Sequence, residues 1–276
     1  MASKKTAQPG YETLAIAMHD GVAVVALNRP DVHNAFNETL ISELTEVLNV
    51  LDEDDAVRAV VLAGNGKSFC AGADLNWMKK MAGHGAAENL ADAQALALML
   101  RTLNGLSKPT VARVQGAAYG GGVGLTACCD IAIAAIEATF ALSEAKLGLI
   151  PATISPYVIE AIGARQARRY FLTGERFDAA EAYRIGLVHD IVPIADLDDR
   201  VNEVLGTLLL AGPRAQLECK ALIRGVAHRP IDAAVIGGTA EHIAAVRASP
   251  EGKEGVAAFL QKRTPAWVPA VLVRKK

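Results

Sequence analysis

Aromatic side chains are scarce, 5% of 276 residues, whereas 51% of the chain is hydrophobic, so Ala, Val, Leu and Ile must fill a core of tightly packed helices and strands. Neither sign of charge dominates: 28 basic against 30 acidic residues leave a formal net charge of −2. That balance removes any global attraction to nucleic acid or to an anionic membrane. Long hydrophobic runs are missing too, because the uncharged segment from Val114 to Cys129 is too short and too glycine-rich to span a bilayer. Cysteine is limited to Cys70, Cys128, Cys129 and Cys219, which have no metal-ligand spacing and, with two adjacent, make a poor disulfide framework. A reducing cytoplasm is the expected compartment, and Cys70 reads as a small buried residue in preference to a reactive thiol. No His/Cys/Asp cluster has ligand spacing either, so no metal and no tightly bound cofactor is expected, and His33, His84 and His189 read as structural or solvent-facing. Residues 1–10 carry two lysines but no apolar run and no arginine, and read as a tail rather than a signal or transit peptide.

What the chain does have is Gly116-Ala117-Ala118-Tyr119-Gly120-Gly121-Gly122-Val123-Gly124-Leu125. The helix penalty of glycine argues for a backbone turn through its middle, then a short buried helix over Leu125-Thr126-Ala127-Cys128-Cys129 with the glycines at its N-terminus. First-turn N–H groups lack internal partners and carry the positive end of the helix dipole, which suits a developing negative charge. A phosphate loop would need Lys and then Ser or Thr where Leu125 stands, and a dinucleotide fingerprint would need G-x-G-x-x-G opening a βαβ unit. An oxyanion hole and a plain glycine turn for close helix packing both remain.

In chain order, Glu12 to Met18 and Val22 to Leu27 flank His19-Asp20-Gly21 and predict a hairpin. Asn37 is the expected N-cap of a helix with apolar Leu40, Ile41, Leu44, Val47, Leu48 and Leu51 and an acidic outer face. Val57 to Ala63 then reads as a strand, giving a strand–helix–strand crossover. Small residues fill the positions between Phe69 and Asp74, where a ligand could lie against the backbone; Asp74 caps a short helix through Met81. A polar link at Gly83 to Gly85 precedes a long helix from Ala86 to Leu106, and strands are expected at Thr110 to Val114 and Asp130 to Ala135. From Ser155 the chain is nearly all helix, in stretches 155–162, 164–172, 179–185, 197–210, 214–226, 231–248 and 250–262, with one extended piece at Val188 to Val192.

Ala71-Gly72-Ala73-Asp74-Leu75, the triple glycine, Cys129-Asp130, Ser143-Glu144 with Gly148-Leu149-Ile150-Pro151, and Asp178-Ala179-Ala180-Glu181-Ala182 with Gly186-Leu187-Val188 occur in this order. With them the chain resembles the crotonase (enoyl-CoA hydratase/isomerase) superfamily from about Glu12 to Arg263. The resemblance implies an α/β fold, a spiral of ββα units followed by a C-terminal helical trimerisation region, with the core over residues 11–195 and the helical region over 196–276. It implies an acyl-CoA substrate, coenzyme A entering only as part of that substrate, and assembly as a homotrimer or a dimer of trimers. It places an oxyanion hole at the backbone N–H groups of Ala73 and Gly121, the coenzyme A path along Ala71, Ala73, Asp74, Leu75, Asn76 and Gly121, and the acid–base at Glu144. Lys79, Lys80, Lys262 and Arg263 are the cations available to the 3′-phosphate, and Tyr119, Gly124 and Thr153 are expected around the acyl group.

One departure stands out. Hydratases of this family commonly carry two catalytic glutamates, and the position matching the first is Gly124. A single Glu144 suits a Δ3,Δ2-enoyl-CoA isomerase, which shuttles one proton, but also a hydratase that draws its proton from the attacking water. The loop Leu149-Ile150-Pro151-Ala152-Thr153-Ile154-Ser155-Pro156-Tyr157 resembles the one in bacterial methylglutaconyl-CoA and isohexenylglutaconyl-CoA hydratases, which share the glycine. The expectation is therefore a hydratase of a branched or glutaconyl-type enoyl-CoA, with the isomerase as alternative. A family member that binds RNA is remote, since the helix after Asn37 is acidic; a catalytically silent member is disfavoured by Glu144 and both oxyanion segments.

Overall fold

The structure, a computed structural model, describes residues 10–272; the expected tail falls almost wholly outside them. The described residues divide into two compact units, 10–106 with 110–201, and 107–109 with 202–272. The boundary expected at 196 lies at the start of a helix, Leu197–Leu210, that the division cuts five residues later.

The first unit is built on a sheet of six strands. β1 (Leu14–His19) and β2 (Val22–Leu27) form the expected hairpin, and Asp20 and Gly21, both at positive φ, make the two-residue turn that matches strand twist. α1 (Glu38–Glu53) starts where the Asn37 side chain accepts the Leu40 N–H at 2.9 Å, and it buries the six apolar residues its spacing marks. It carries the chain to β3 (Ala59–Gly64), parallel to β2 and buried at every residue, as a central strand covered on both faces must be. α2 (Leu75–Met81) and α3 (Ala86–Gly105), the latter against α1, lead to β4 (Thr110–Val114) beside β3.

Next come three elements that the sequence hides. β5 (Ala117–Tyr119) pairs in parallel with β7 (Thr139–Ala141), and β7 in turn with β8 (Arg176–Asp178), a second sheet of three-residue strands. Between them α4 (Gly121–Cys128) includes Gly121, Gly122 and Gly124, so the expected turn is confined to Gly120. The helix tolerates its glycines because it is buried against neighbours that leave no room for side chains, contacts that offset a propensity loss of ~1 kcal/mol each. β6 (Ile131–Ala135) pairs with β4, and β9 (Asp190–Val192) with β6, completing the order β1-β2-β3-β4-β6-β9. α5 (Ser155–Thr173) is broken at Gly163, φ 72°, where two helical stretches were expected; α6 (Ala179–Arg184) is capped by Asp178.

α7 (Leu197–Leu210) enters the second unit, which holds α8 (Pro213–Val226), α9 (Ala233–Ala248) and α10 (Pro250–Leu260). α9 begins two residues later than expected because Asp232 accepts the Val235 N–H as its cap. Glu251 accepts the N–H groups of Arg214 and Ala215 at 3.0 and 2.7 Å, tying α10 to the start of α8. No helix among the described residues is long and apolar enough to cross a membrane.

Candidate active site

Two strand ends and the segment after β3 supply the site. The loop from Asn28 to Phe36 holds that segment: Asn34, fully buried, donates to Asn65 O and Ser68 O, and Ala71 donates its N–H to His33 O at 3.0 Å. Phe36 donates to Gly72 O at 2.6 Å and accepts from Asp74 N–H at 2.8 Å. On the other side Cys70 bridges to Ala118 through Cys70 N–H to Ala117 O (3.1 Å) and Tyr119 N–H to Cys70 O (2.9 Å). The intervening residue, Ala73, is exposed, and its N–H has no acceptor among the described residues. Gly72 has φ 90°, and a Cβ there would stand 3.0 Å from Tyr119 O, so both torsion and space call for glycine.

Asp74 fixes the start of α2. Its Oδ1 accepts the N–H groups of Asn76 (2.7 Å) and Trp77 (3.2 Å), and its Oδ2 pairs with Arg29 at 3.0 Å. Burial alone would raise this carboxyl, but the two N–H donors and the guanidinium outweigh it and hold it below the usual range.

β5 ends at Gly120, whose N–H donates to Ala141 O at 2.8 Å beside the end of β7. Gly120 turns at φ 50° and opens α4, so the Gly121 N–H stands in the first turn without an intrahelical acceptor or any other among the described residues. From β7 the chain passes through Leu142 and Ser143 into a 3₁₀ turn, Glu144–Leu147. The adjacency of β5 and β7 brings the Glu144 carboxylate against Gly120: a Cβ on Gly120 would be 3.0 Å from Oε1 and 4.0 Å from the Gly72 Cα. Glu144 Oε2 is buried with no hydrogen-bond partner among the described residues. Desolvation raises its pKa, with its own backbone N–H opposing. A proton acceptor and donor thus faces a turn flanked by two free backbone N–H groups.

Gly124 lies one helical turn beyond Gly120. A Cβ there would meet Ile154 Cγ2 at 2.2 Å and Ile154 Cβ at 2.9 Å, with Leu100 Cδ2 at 3.6 Å. Ile154 is 2% exposed, so a buried aliphatic side chain fills the space beside the residue at which the resemblance expects a second carboxylate.

Of the remaining expected residues, Ala71 and Thr153 are half-buried, and Leu75 and Asn76 are exposed. The Tyr119 hydroxyl is 3.0 Å from Thr139 Oγ1, and the Arg176 guanidinium lies 5.2 Å from its ring centroid, so that ring already has its partners. Lys80 pairs with Glu38; in the second unit, Arg263 pairs with Glu254 at 2.6 Å. Glu88, a carboxylate on the segment after Gly83, accepts the Gly85 N–H at 2.8 Å. Burial pushes the Cys70 thiol up to about 12, which suppresses thiolate chemistry. Phe36, Arg29 and Ile154 carry no expected role from sequence; the nearest signal is Phe36 itself, an aromatic immediately before the Asn37 cap, where a staple residue would sit.

The family model for enoyl-CoA hydratase/isomerase matches residues 17–269. A crotonyl-CoA hydratase of Syntrophomonas wolfei is 33% identical, aligned over 94% of this chain and 98% of that protein. Among solved structures, an enoyl-CoA hydratase of Shewanella pealeana is 46% identical with a TM-score of 0.91, covering 93% of this chain and 96% of that one. AtuE of Pseudomonas aeruginosa is 40% identical with a TM-score of 0.89, covering 93% of this chain and all of that one.

Proposed function

The chain belongs to the enoyl-CoA hydratase/isomerase family, and on that premise we propose that it adds water across the double bond of a branched or glutaconyl-type 2-enoyl-CoA. The observation that carries this reading is the Glu144 carboxylate, buried and unpartnered at Oε2, against the turn between the free N–H groups of Ala73 and Gly121. The thioester oxygen takes both N–H donors. Glu144, ionised, removes a proton from water as its oxygen bonds to C3, and the C2=C3 electrons move onto the thioester to give an enolate. Two donors on that oxygen are worth about 3–4 kcal/mol each in lowering the barrier. Glu144, now protonated, returns the proton to C2, and water is added with nothing left over. A raised pKa makes the carboxylate the stronger base for the first half of this cycle and lets it hold the proton that it then returns to C2.

The substrate class rests on the loop from Leu149 to Tyr157, whose half-buried Thr153 and Tyr157 are polar groups available to a distal carboxylate, while the Ser155 hydroxyl already donates to Ala152 O at 2.7 Å. The coenzyme A portion would run past the exposed Ala73, Leu75 and Asn76, and the enzyme would work as a homotrimer or dimer of trimers in the cytoplasm. One observation favours the isomerase as a second reading. Ile154 fills the space beside Gly124, where the other acid is expected, leaving a single carboxylate, all that a C4-to-C2 proton shuttle needs.

Turnover of 3-methylglutaconyl-CoA, crotonyl-CoA and a 3-enoyl-CoA in heavy water, with wild type and Glu144→Gln, decides between them. The hydratase reading expects loss of the conjugated enoyl absorbance with deuterium at C2, abolished by the substitution. Conversion of the 3-enoyl-CoA without hydration hands the reaction to the isomerase, and full activity of Glu144→Gln removes Glu144 from either mechanism.

A further inference from the structure

Phe36 touches the frames of both free N–H groups. Its backbone grips the chain on either side of Ala73, donating to Gly72 O and accepting from Asp74 N–H, so the Ala73 N–H is the donor left over. Its ring lies where a side chain on Gly121 would begin: a Cβ there would be 2.1 Å from Cε2 and 2.7 Å from Cδ2. Gly121 has an ordinary helical torsion, so the ring and not the backbone conformation demands glycine at that position. Phe36 is 1% exposed and flanked by fixed points, Arg29 Nη1 donating to Ala35 O at 2.5 Å on one side and the Asn37 cap of α1 on the other.

We propose that Phe36 is the positioning residue of the oxyanion hole, setting the spacing of the Ala73 and Gly121 N–H groups through its backbone on one and its ring on the other. The inference rests on the reading of those two groups as donors to a thioester oxygen. A ring that spaces two donors acts on the reacting geometry, where a displacement of about 1 Å can cost about a hundredfold in rate. A residue that merely fills the core would lower stability and leave the polarisation of the bound carbonyl intact.

The test uses butyryl-CoA with carbon-13 at the thioester carbonyl, a saturated ligand that is not hydrated, and reads its carbonyl stretch by infrared difference spectroscopy on the full chain. Wild type, Phe36→Leu, Phe36→Met and Phe177→Leu are compared, the last removing a ring that stacks on Phe140 in the three-stranded sheet. Binding to wild type should shift the stretch to lower wavenumber. Phe36→Leu should lose at least half of that shift and at least tenfold in kcat on the best enoyl-CoA, with KM within threefold of wild type. Phe177→Leu, at a similar loss of thermal stability, should keep both. If Phe36→Leu does not fold, Phe36→Met, closer in length to the ring it replaces, carries the same comparison. A full shift and full kcat in the folded Phe36 variant overturn the positioning role. An unshifted carbonyl in ligand-bound wild type, or no binding at all, overturns instead the oxyanion reading on which it rests.

Discussion

Adding one methyl group at residue 124 tests whether Ile154 fills the place of a second carboxylate. A Cβ at Gly124 falls 2.2 Å from Ile154 Cγ2, so the isoleucine must retreat to the 3.4 Å at which ordinary contact begins. It cannot do so cheaply, since it is 2% exposed and its carbonyl is held by the Val158 N–H at 3.1 Å as α5 begins. Overpacking of this kind costs ~1–3 kcal/mol, against which alanine returns ~1 kcal/mol of helix propensity in α4. Gly124→Ala should therefore be destabilising by up to about 2 kcal/mol. Ile154→Ala should cost ~2–5 kcal/mol as a buried truncation. In the double variant the Cγ2 clash is gone, only the 2.9 Å approach of the two Cβ atoms remains, and the new methyl fills part of the cavity. The double variant should be at least ~1 kcal/mol more stable than the sum of the singles predicts, measured by urea unfolding in a double-mutant cycle. Additivity within ~0.5 kcal/mol would refute the argument that one side chain stands in the other's place. The same clash predicts that Gly124→Glu alone will not install a second working acid.

Glu144→Gln should lower kcat by ~10²–10⁴-fold with little change in KM, read from the enoyl absorbance. Its effect on stability runs the other way: folded Glu144 holds its proton more tightly than the unfolded chain does, so wild-type stability falls as pH rises from ~4.3 through the raised folded value. The glutamine variant should be the more stable protein at pH 7 and lose that advantage towards pH 4, in urea titrations across pH. Asp74 has the opposite sign, its carboxyl being held low, so its contribution is present above the unfolded value and lost as pH falls through the folded one. Asp74→Ala should cost about 3 kcal/mol at pH 7, by stranding Arg29 and removing a cap, and less at pH 3, by the same titrations. Gly72→Ala should lose ~1–2 kcal/mol to left-handed strain, with a fall in kcat, whereas Gly206→Ala in α7, with open space at its Cβ, should keep full activity and unfold no earlier in thermal melts.

Elements with local signals were legible. The hairpin announces itself through Asp20-Gly21, α1 through Asn37 and its six apolar positions, and α2 through Asp74, because caps, turns and helical period are written within a few residues. The three-stranded sheet was not, since strands of three residues are too short to show alternation and exist only by pairing across the chain. The helical glycines mislead for a related reason. Their propensity argues against α4, and what overrides it is the Phe36 ring, the Cys70 carbonyl and Ile154, all distant in sequence. At the site, the small-residue turn at Ala73, the glycine run and Glu144 were visible as types in order. That β5 and β7 lie side by side and so join Gly120 to Glu144 is a fact of topology alone.

The two unpaired N–H groups have a consequence for how this protein can vary. A donor on the main chain is encoded by every amino acid except proline, so the genetic code can alter its surroundings but almost never delete it. Ala73, exposed and without its own side-chain chemistry, can drift through other small residues while the amide it carries persists. Tolerance to substitution there says nothing about the amide's use, and an alanine scan passes over it unchanged. The direct probe is an amide-to-ester exchange in the peptide bond between Gly72 and Ala73, which replaces the N–H by an oxygen and leaves every side chain in place.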